Sequence, residues 1–189
     1  MARTAGTSAL KHDGSHTLDD WRSWPTDERW ELINGIAYAM SPAPQVSHQE
    51  KAYDLGRQLG NFLEGKPCKP YMAPLDVFFE ETSDEDSGMV VEPDVMVVCD
   101  PDKVADDGIH GAPDFIAEVL SDSTASKDFG IKKELYERFG VREYWIIHPD
   151  TSAVFQYIRD GALFSPVREH RRGIPVQSSI FQGFSWLCP

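Results

Sequence analysis

The stretch from Pro113 to Leu120, PDFIAEVL, limits the possible folds more than any other part of the chain. Phe115, Ile116, Ala117, Val119 and Leu120 read as a strand buried on both faces. Glu118 stands in the middle of it. A carboxylate in that setting is costly unless it is paired, protonated or holding a metal. The fold must therefore bring compensating positive charge, or a proton, to the centre of its own sheet.

The rest of the chain supplies a sheet for this strand to join. Its 189 residues suffice for one domain with a sizeable core, and an apolar content of 41% points to a globular fold. Thr17 can cap a short helix running to Trp24. WELINGIAYAM reads as a hairpin turning at Asn34-Gly35. A helix is expected from Ser47 to about Leu63, with Ala52, Leu55, Leu59 and Phe62 on its apolar side. Strands are expected near Tyr71, in LDVFFEE, in EPDVMVVCD, in REYWIIHP and in AVFQYIRDG. Residues 82–88 read as an acidic hairpin tip and 100–112 as loop. One helix is expected from about Ser126 to Phe139, with Gly140 as its C-cap. Strands and helices in this order predict an α/β fold with a mixed sheet flanked by helices.

The net charge of -13 argues against loose electrostatic binding to nucleic acid, which needs surplus Lys and Arg. It leaves room for a nucleic-acid enzyme with a local basic groove and divalent cations. No apolar run has the length of a membrane span, and the N-terminal residues lack the apolar stretch of a signal peptide. Cys68, Cys99 and Cys188 are odd in number and far apart, which suits a reducing cytoplasm. A cytoplasmic protein with no membrane partner is the expectation.

Two residues are placed to answer Glu118. Asp94 opens the EPDVMVVCD strand and lies 24 residues earlier, so the two strands can be neighbours with both carboxylates near one sheet edge. Asp114, four residues away on the same strand, would sit about 13 Å off and is the poorer partner. Two carboxylates held close repel unless a cation lies between them, and Mg²⁺ is the natural occupant. On the following helix, about 100° per residue puts Lys132 in the apolar sector of Ile131, Leu135, Tyr136 and Phe139, with Asp128 beside it. Lys133 falls outside that sector. The residues alone leave open a plain ion pair of Lys132 with Glu118 or with Asp128.

EPDVMVV, GAPDFIAEVLSDST and DFGIKKELYERFGVREYWIIHP, together with WELINGIAYAMSPAP and the following His48, resemble the Uma-type restriction-endonuclease family of the PD-(D/E)XK nuclease superfamily. The likeness runs from about Leu18 to Asp150 and more weakly to Trp186. It implies a restriction-endonuclease-like mixed sheet in a single domain over residues 17–189, after a flexible tail over 1–16. It also implies Asp94 and Glu118 as the acidic pair of the motif. The motif lysine should fall at 120, which here is Leu120; its function has moved to the helix, where Lys132 matches. Glu31 matches an acidic residue that helps hold metal in related nucleases. His48, Asp128 and Tyr136 match supporting positions. Asp122 stands where Pro is usual and His148 where Asp is usual, and NGIAYAM lacks the acidic residue that often follows the Gly.

Two functions follow as expectations. The first is a Mg²⁺- or Mn²⁺-dependent endonuclease acting on DNA through Asp94, Glu118 and Lys132, with Glu31 as a further metal ligand. The alternative is a non-catalytic binding or regulatory module on a nuclease-like fold, with Glu118 and Lys132 as a structural ion pair. A homodimer is expected, because a duplex has two strands to cut and the aromatic-rich ends leave apolar surface to cover. The basic run REHRR, residues 168–172, is the patch an acidic nuclease needs, and the apolar run ending at Trp186 offers a face to a second subunit.

Overall fold

The structure is a computed structural model that describes residues 16–25, 27–40, 44–79, 88–121 and 123–189. The N-terminal tail and the acidic hairpin tip expected from sequence therefore lie wholly or mostly outside the described residues, as does Asp122. Helix α1 spans Leu18–Ser23, opened by a capping box between Thr17 and Asp20. Strands β1 (Trp30–Ile33) and β2 (Ile36–Ala39) form the expected hairpin. Asn34 and Gly35 both take positive φ there, 50° and 73°, as a tight primed turn requires. Helix α2 spans Val46–Leu63. It is followed by β3 (Lys69–Met72), β4 (Val77–Phe79), β5 (Met89–Val91) and β6 (Val95–Val98).

The segment 100–112, expected to be loop, instead holds a 3-10 turn and the short strands β7 (Val104–Ala105) and β8 (Gly108–His110). Ile109 is fully buried and takes β8 into a ladder beside β4. Strand β9 is Phe115–Val119, buried at every position. The expected single helix is two: α3 (Ala125–Phe129) and α4 (Ile131–Phe139). The break is at Gly130, whose φ of -105° and ψ of -103° are not helical. A Cβ there would lie 2.9 Å from the carbonyl oxygen of Ser126, so only glycine fits the junction. Strands β10 (Glu143–Ile147), β11 (Val154–Asp160), β12 (Leu163–Phe164), β13 (Arg168–His170), β14 (Val176–Gln177) and β15 (Ser185–Trp186) complete the chain.

The main sheet is mixed and seven-stranded, in the order β12-β11-β10-β9-β6-β3, with β13 also on β11. One face packs on α2 and on a C-terminal segment through Phe181, Phe184 and Trp186. The other face packs on α4 and on a second, six-stranded sheet ordered β2-β1-β5-β4-β8-β7. Trp186 is fully buried, stacked near Trp145 and donating from Nε1 to Asp54. The C-terminal apolar run thus covers its own sheet, which corrects the expectation that it faces a second subunit. A buried carboxylate fastens it: Glu143 accepts bonds from Trp145, Gln156, Ser178, Ser179 and Ile180.

The cysteines are also corrected. Cys68 and Cys99 form a disulfide across 31 residues of sequence. The antiparallel register places Lys69 opposite Val98, so the next pair outward is Cys68 with Cys99. Cys188 is free and buried. Among the described residues no helix is long and apolar enough to cross a membrane.

Candidate active site

Register brings Asp94 and Glu118 together. Strands β6 and β9 are antiparallel with Val95 opposite Ala117, so the next position outward sets Asp94 beside Glu118. The Asp94 amide donates to Glu118 Oε2 at 3.3 Å, and the Val119 amide donates to Asp94 Oδ2 at 2.8 Å. Asp114 is at the other end of the strand, accepting from the Cys99 amide and pairing with Arg142.

Helix α4 then delivers its inward residues onto Glu118. Lys132 Nζ lies 2.9 Å from Glu118 Oε1, and the Tyr136 hydroxyl donates to the same oxygen at 2.7 Å. Lys132 also lies 2.6 Å from Glu31 Oε1, which β1 brings from the second sheet. Asp128, one helical turn before Lys132, is 4.0 Å from it. Glu31, Glu118, Asp128 and Lys132 are all buried, with at most 4% exposure. Glu31 is therefore at the floor of the cluster rather than on its rim. Solvent reaches the site through Asp94, Lys127 and His48, whose side chains are 20%, 14% and 11% exposed. His48, on the first turn of α2, meets Asp94 Oδ2 through Nε2 at 3.2 Å.

Lys127 has no place in the sequence reading and joins the cluster by a 2.5 Å ion pair with Glu31. On one continuous helix Lys127 and Lys132 would point about 140° apart. The break at Gly130 resets the phase and turns both toward Glu31. Gly130 itself, set between two apparent helical turns, was the available signal.

The charges are unequal. Burial pushes the Glu31 carboxyl up, but Lys132 and Lys127 outweigh it and hold the group below the usual carboxylate range. Burial pushes Glu118 up to about 8; Lys132 pulls against this, while Asp128, Asp94 and Glu31 add to it. Asp128 is likewise raised, by burial first, and its Oδ1 has no hydrogen-bond partner among the described residues. Burial would lower Lys132, but Glu118, Glu31 and Asp128 raise it well above an ordinary lysine, so it is a fixed cation. Burial also lowers His48, but the bond to Asp94, the Asp94 and Glu118 charges and a backbone bond at Val119 together raise it. Among the described residues Glu118 accepts bonds from the Asp94 amide, Lys132 and Tyr136, in a place where burial resists its ionisation. The cluster is short of positive charge.

A family model described as "Uma2: Putative restriction endonuclease" matches residues 18–188. The chain belongs to the Uma2 family. The Uma2 match runs past the blocks read from sequence and takes in the C-terminal segment on the main sheet. The chain also resembles a solved structure, the crystal structure of "a putative nuclease belonging to DUF820" from Anabaena variabilis ATCC 29413. The two share 20% sequence identity at a TM-score of 0.70, over 87% of this chain and 90% of that one. That likeness establishes the nuclease-type α/β fold. No curated protein matches the chain.

Proposed function

We propose that this Uma2 protein is a metal-dependent endonuclease that hydrolyses DNA phosphodiester bonds, with Asp94, Glu118 and Lys132 as its working group. The observation that carries the reading is Glu118 itself: a buried carboxyl that accepts bonds from the Asp94 amide, Lys132 and Tyr136 while burial raises it to about 8, beside an Asp128 oxygen with no hydrogen-bond partner among the described residues. A site so short of positive charge suits a divalent cation. The donors suit a hard one, being carboxylate oxygens from Asp94, Glu118 and Glu31. They are not preassembled: among the described residues no three His, Cys, Asp or Glu side chains are grouped to hold an ion. Lys132 bridges Glu31 and Glu118, so it must release one of them for these carboxylates to take a metal.

A bound Mg²⁺ or Mn²⁺ supplies polarisation of a phosphoryl oxygen and a bound water of lowered pKa. The chain does the rest. The Val119 amide and His48 hold Asp94 Oδ2 in place. Tyr136 fixes the Glu118 carboxylate. Glu31 and Asp128 keep Lys132 protonated, and its ammonium stabilises the negative charge that develops on the phosphoryl oxygens. Lys suits this role as a compact point charge.

One observation favours the second reading, a binding or regulatory module. Lys132 is satisfied by two carboxylates, at 2.6 and 2.9 Å, the arrangement a structural ion pair needs. Cleavage of supercoiled plasmid and of single-stranded DNA in Mg²⁺ and in Mn²⁺ separates the two. The nuclease reading expects nicking by the wild type and none by Glu118→Gln. No cleavage of either substrate by a folded wild type, in either metal, leaves the module reading.

A further inference from the structure

We infer that the exposed run Arg168–Arg172 is the surface along which the sugar–phosphate backbone of a DNA duplex lies while its scissile phosphate is at Glu118. This rests on the nuclease reading above and names the part of the molecule that holds the substrate for it.

Register carries the inference. Glu118 is paired with Ile146, Ile146 with Phe155, and Phe155 with Glu169. One row therefore crosses β9, β10, β11 and β13 from the site to Glu169, with Arg168 in the adjacent row and turned to the other face of the sheet, so Arg171 and Arg172 are the cations of the run nearest the site's end of the sheet. Three strand spacings make the distance about 14 Å, close to four base-pair rises of a duplex. The next row, Val119, Ile147, Val154 and His170, ends the strand pairings. Strands β9 and β13 thus run the same way, and Arg171 and Arg172 lie just beyond the end of the sheet at which β9 delivers Glu118. Helix α3 spans the interval, with Lys127 on Glu31 and Phe129 edge-on to Phe155 at 5.1 Å.

The charge there is unusual for this chain. In a protein of net charge -13, residues 168–172 hold three arginines against one carboxylate. Arg168, Arg171 and Arg172 are all exposed. Arg171 pairs with Glu169 at 3.6 Å on the surface, and among the described residues Arg168 and Arg172 have no ion-pair partner. The run is also rigidly mounted. His170 bonds Gln156, and Gln156 bonds the buried Glu143 that fastens the C-terminal segment. Burial and Arg168 lower the His170 pKa, so the imidazole acts here as a neutral bridge and the arginines supply the charge. Arginines fixed on a sheet edge contact phosphates without reading bases.

The test is fluorescence anisotropy of a labelled DNA duplex with the full-length protein in Ca²⁺, across about 50 to 200 mM salt. The Arg171→Ala/Arg172→Ala variant should bind at least tenfold more weakly at the low-salt end. Its slope of log affinity against log salt should shrink by about 1.8, two phosphate contacts at about 0.9 each. Arg171→Gln/Arg172→Gln, which leaves β13 intact, should lose about 1.8. Lys66→Ala/Lys69→Ala, at the opposite end of β6 from Asp94, should keep the wild-type slope. A wild type that cleaves DNA, with an arginine variant of unchanged slope, overturns the inference and spares the nuclease reading. Equal losses in the Lys66/Lys69 control overturn it too. A folded wild type that neither binds nor cuts the duplex overturns both.

Discussion

Glu31 and Glu118 are bridged by one lysine, yet they respond to pH with opposite sign. Glu118 is raised by burial from 4.5 to about 8, so the folded state binds the extra proton and the stability from this group falls as pH rises between those values. Glu31 is lowered by its lysines, so its contribution is present above 4.5 and is lost as pH falls through its depressed value. Metal-free protein should therefore lose thermal stability from these groups between about pH 5 and pH 8. Mg²⁺ should raise the melting temperature more at pH 8 than at pH 5, and Glu118→Gln should abolish that difference; calorimetry across the range checks both. Glu118 and Lys132 were legible in sequence because each breaks a local pattern, one inside an apolar strand and the other inside an apolar helical sector. Lys127 was not, because its direction depends on a helix break rather than on periodicity.

At the scale of elements, that break is Gly130. The Cβ added by Gly130→Ala would meet the Ser126 carbonyl at 2.9 Å, so α3 must shift relative to α4. We predict a loss of about 1–3 kcal/mol in urea unfolding. Because the shift draws Lys127 off Glu31, the loss should be smaller in a Lys127→Met background, a coupling that a double-mutant cycle measures. Hairpins and helices with local signals, such as Asn34-Gly35 and the Thr17 cap, could be read from sequence. Strands β7 and β8 could not: they form a two-rung hairpin with each other, too short to show a strand pattern, and β8 is held by pairing with the distant β4. The Cys68–Cys99 bond is hidden for the same reason: it follows from the β3–β6 register, which no local pattern specifies.

Over the whole molecule, the C-terminal segment is a layer of the fold, fastened by Glu143 and Trp186, and gives no support to a dimer. The homodimer remains a proposal on other grounds, that a duplex presents two strands to one kind of site. Exposed Val46 and Tyr53 on α2 and Leu163 on β12 are apolar surface available to a second copy, at 75%, 62% and 63% exposure. Light scattering at micromolar concentration should give twice the chain mass, and a monomer contradicts the proposal. The central claim, that one buried cluster divides metal binding from charge stabilisation, is tested most directly by measuring Mn²⁺ binding and plasmid cleavage on the same preparations of Lys132→Met and Asp94→Ala. The account predicts that Lys132→Met keeps the ion and cuts at least about 100-fold more slowly, while Asp94→Ala loses both. Cleavage at the wild-type rate by either folded variant would contradict it.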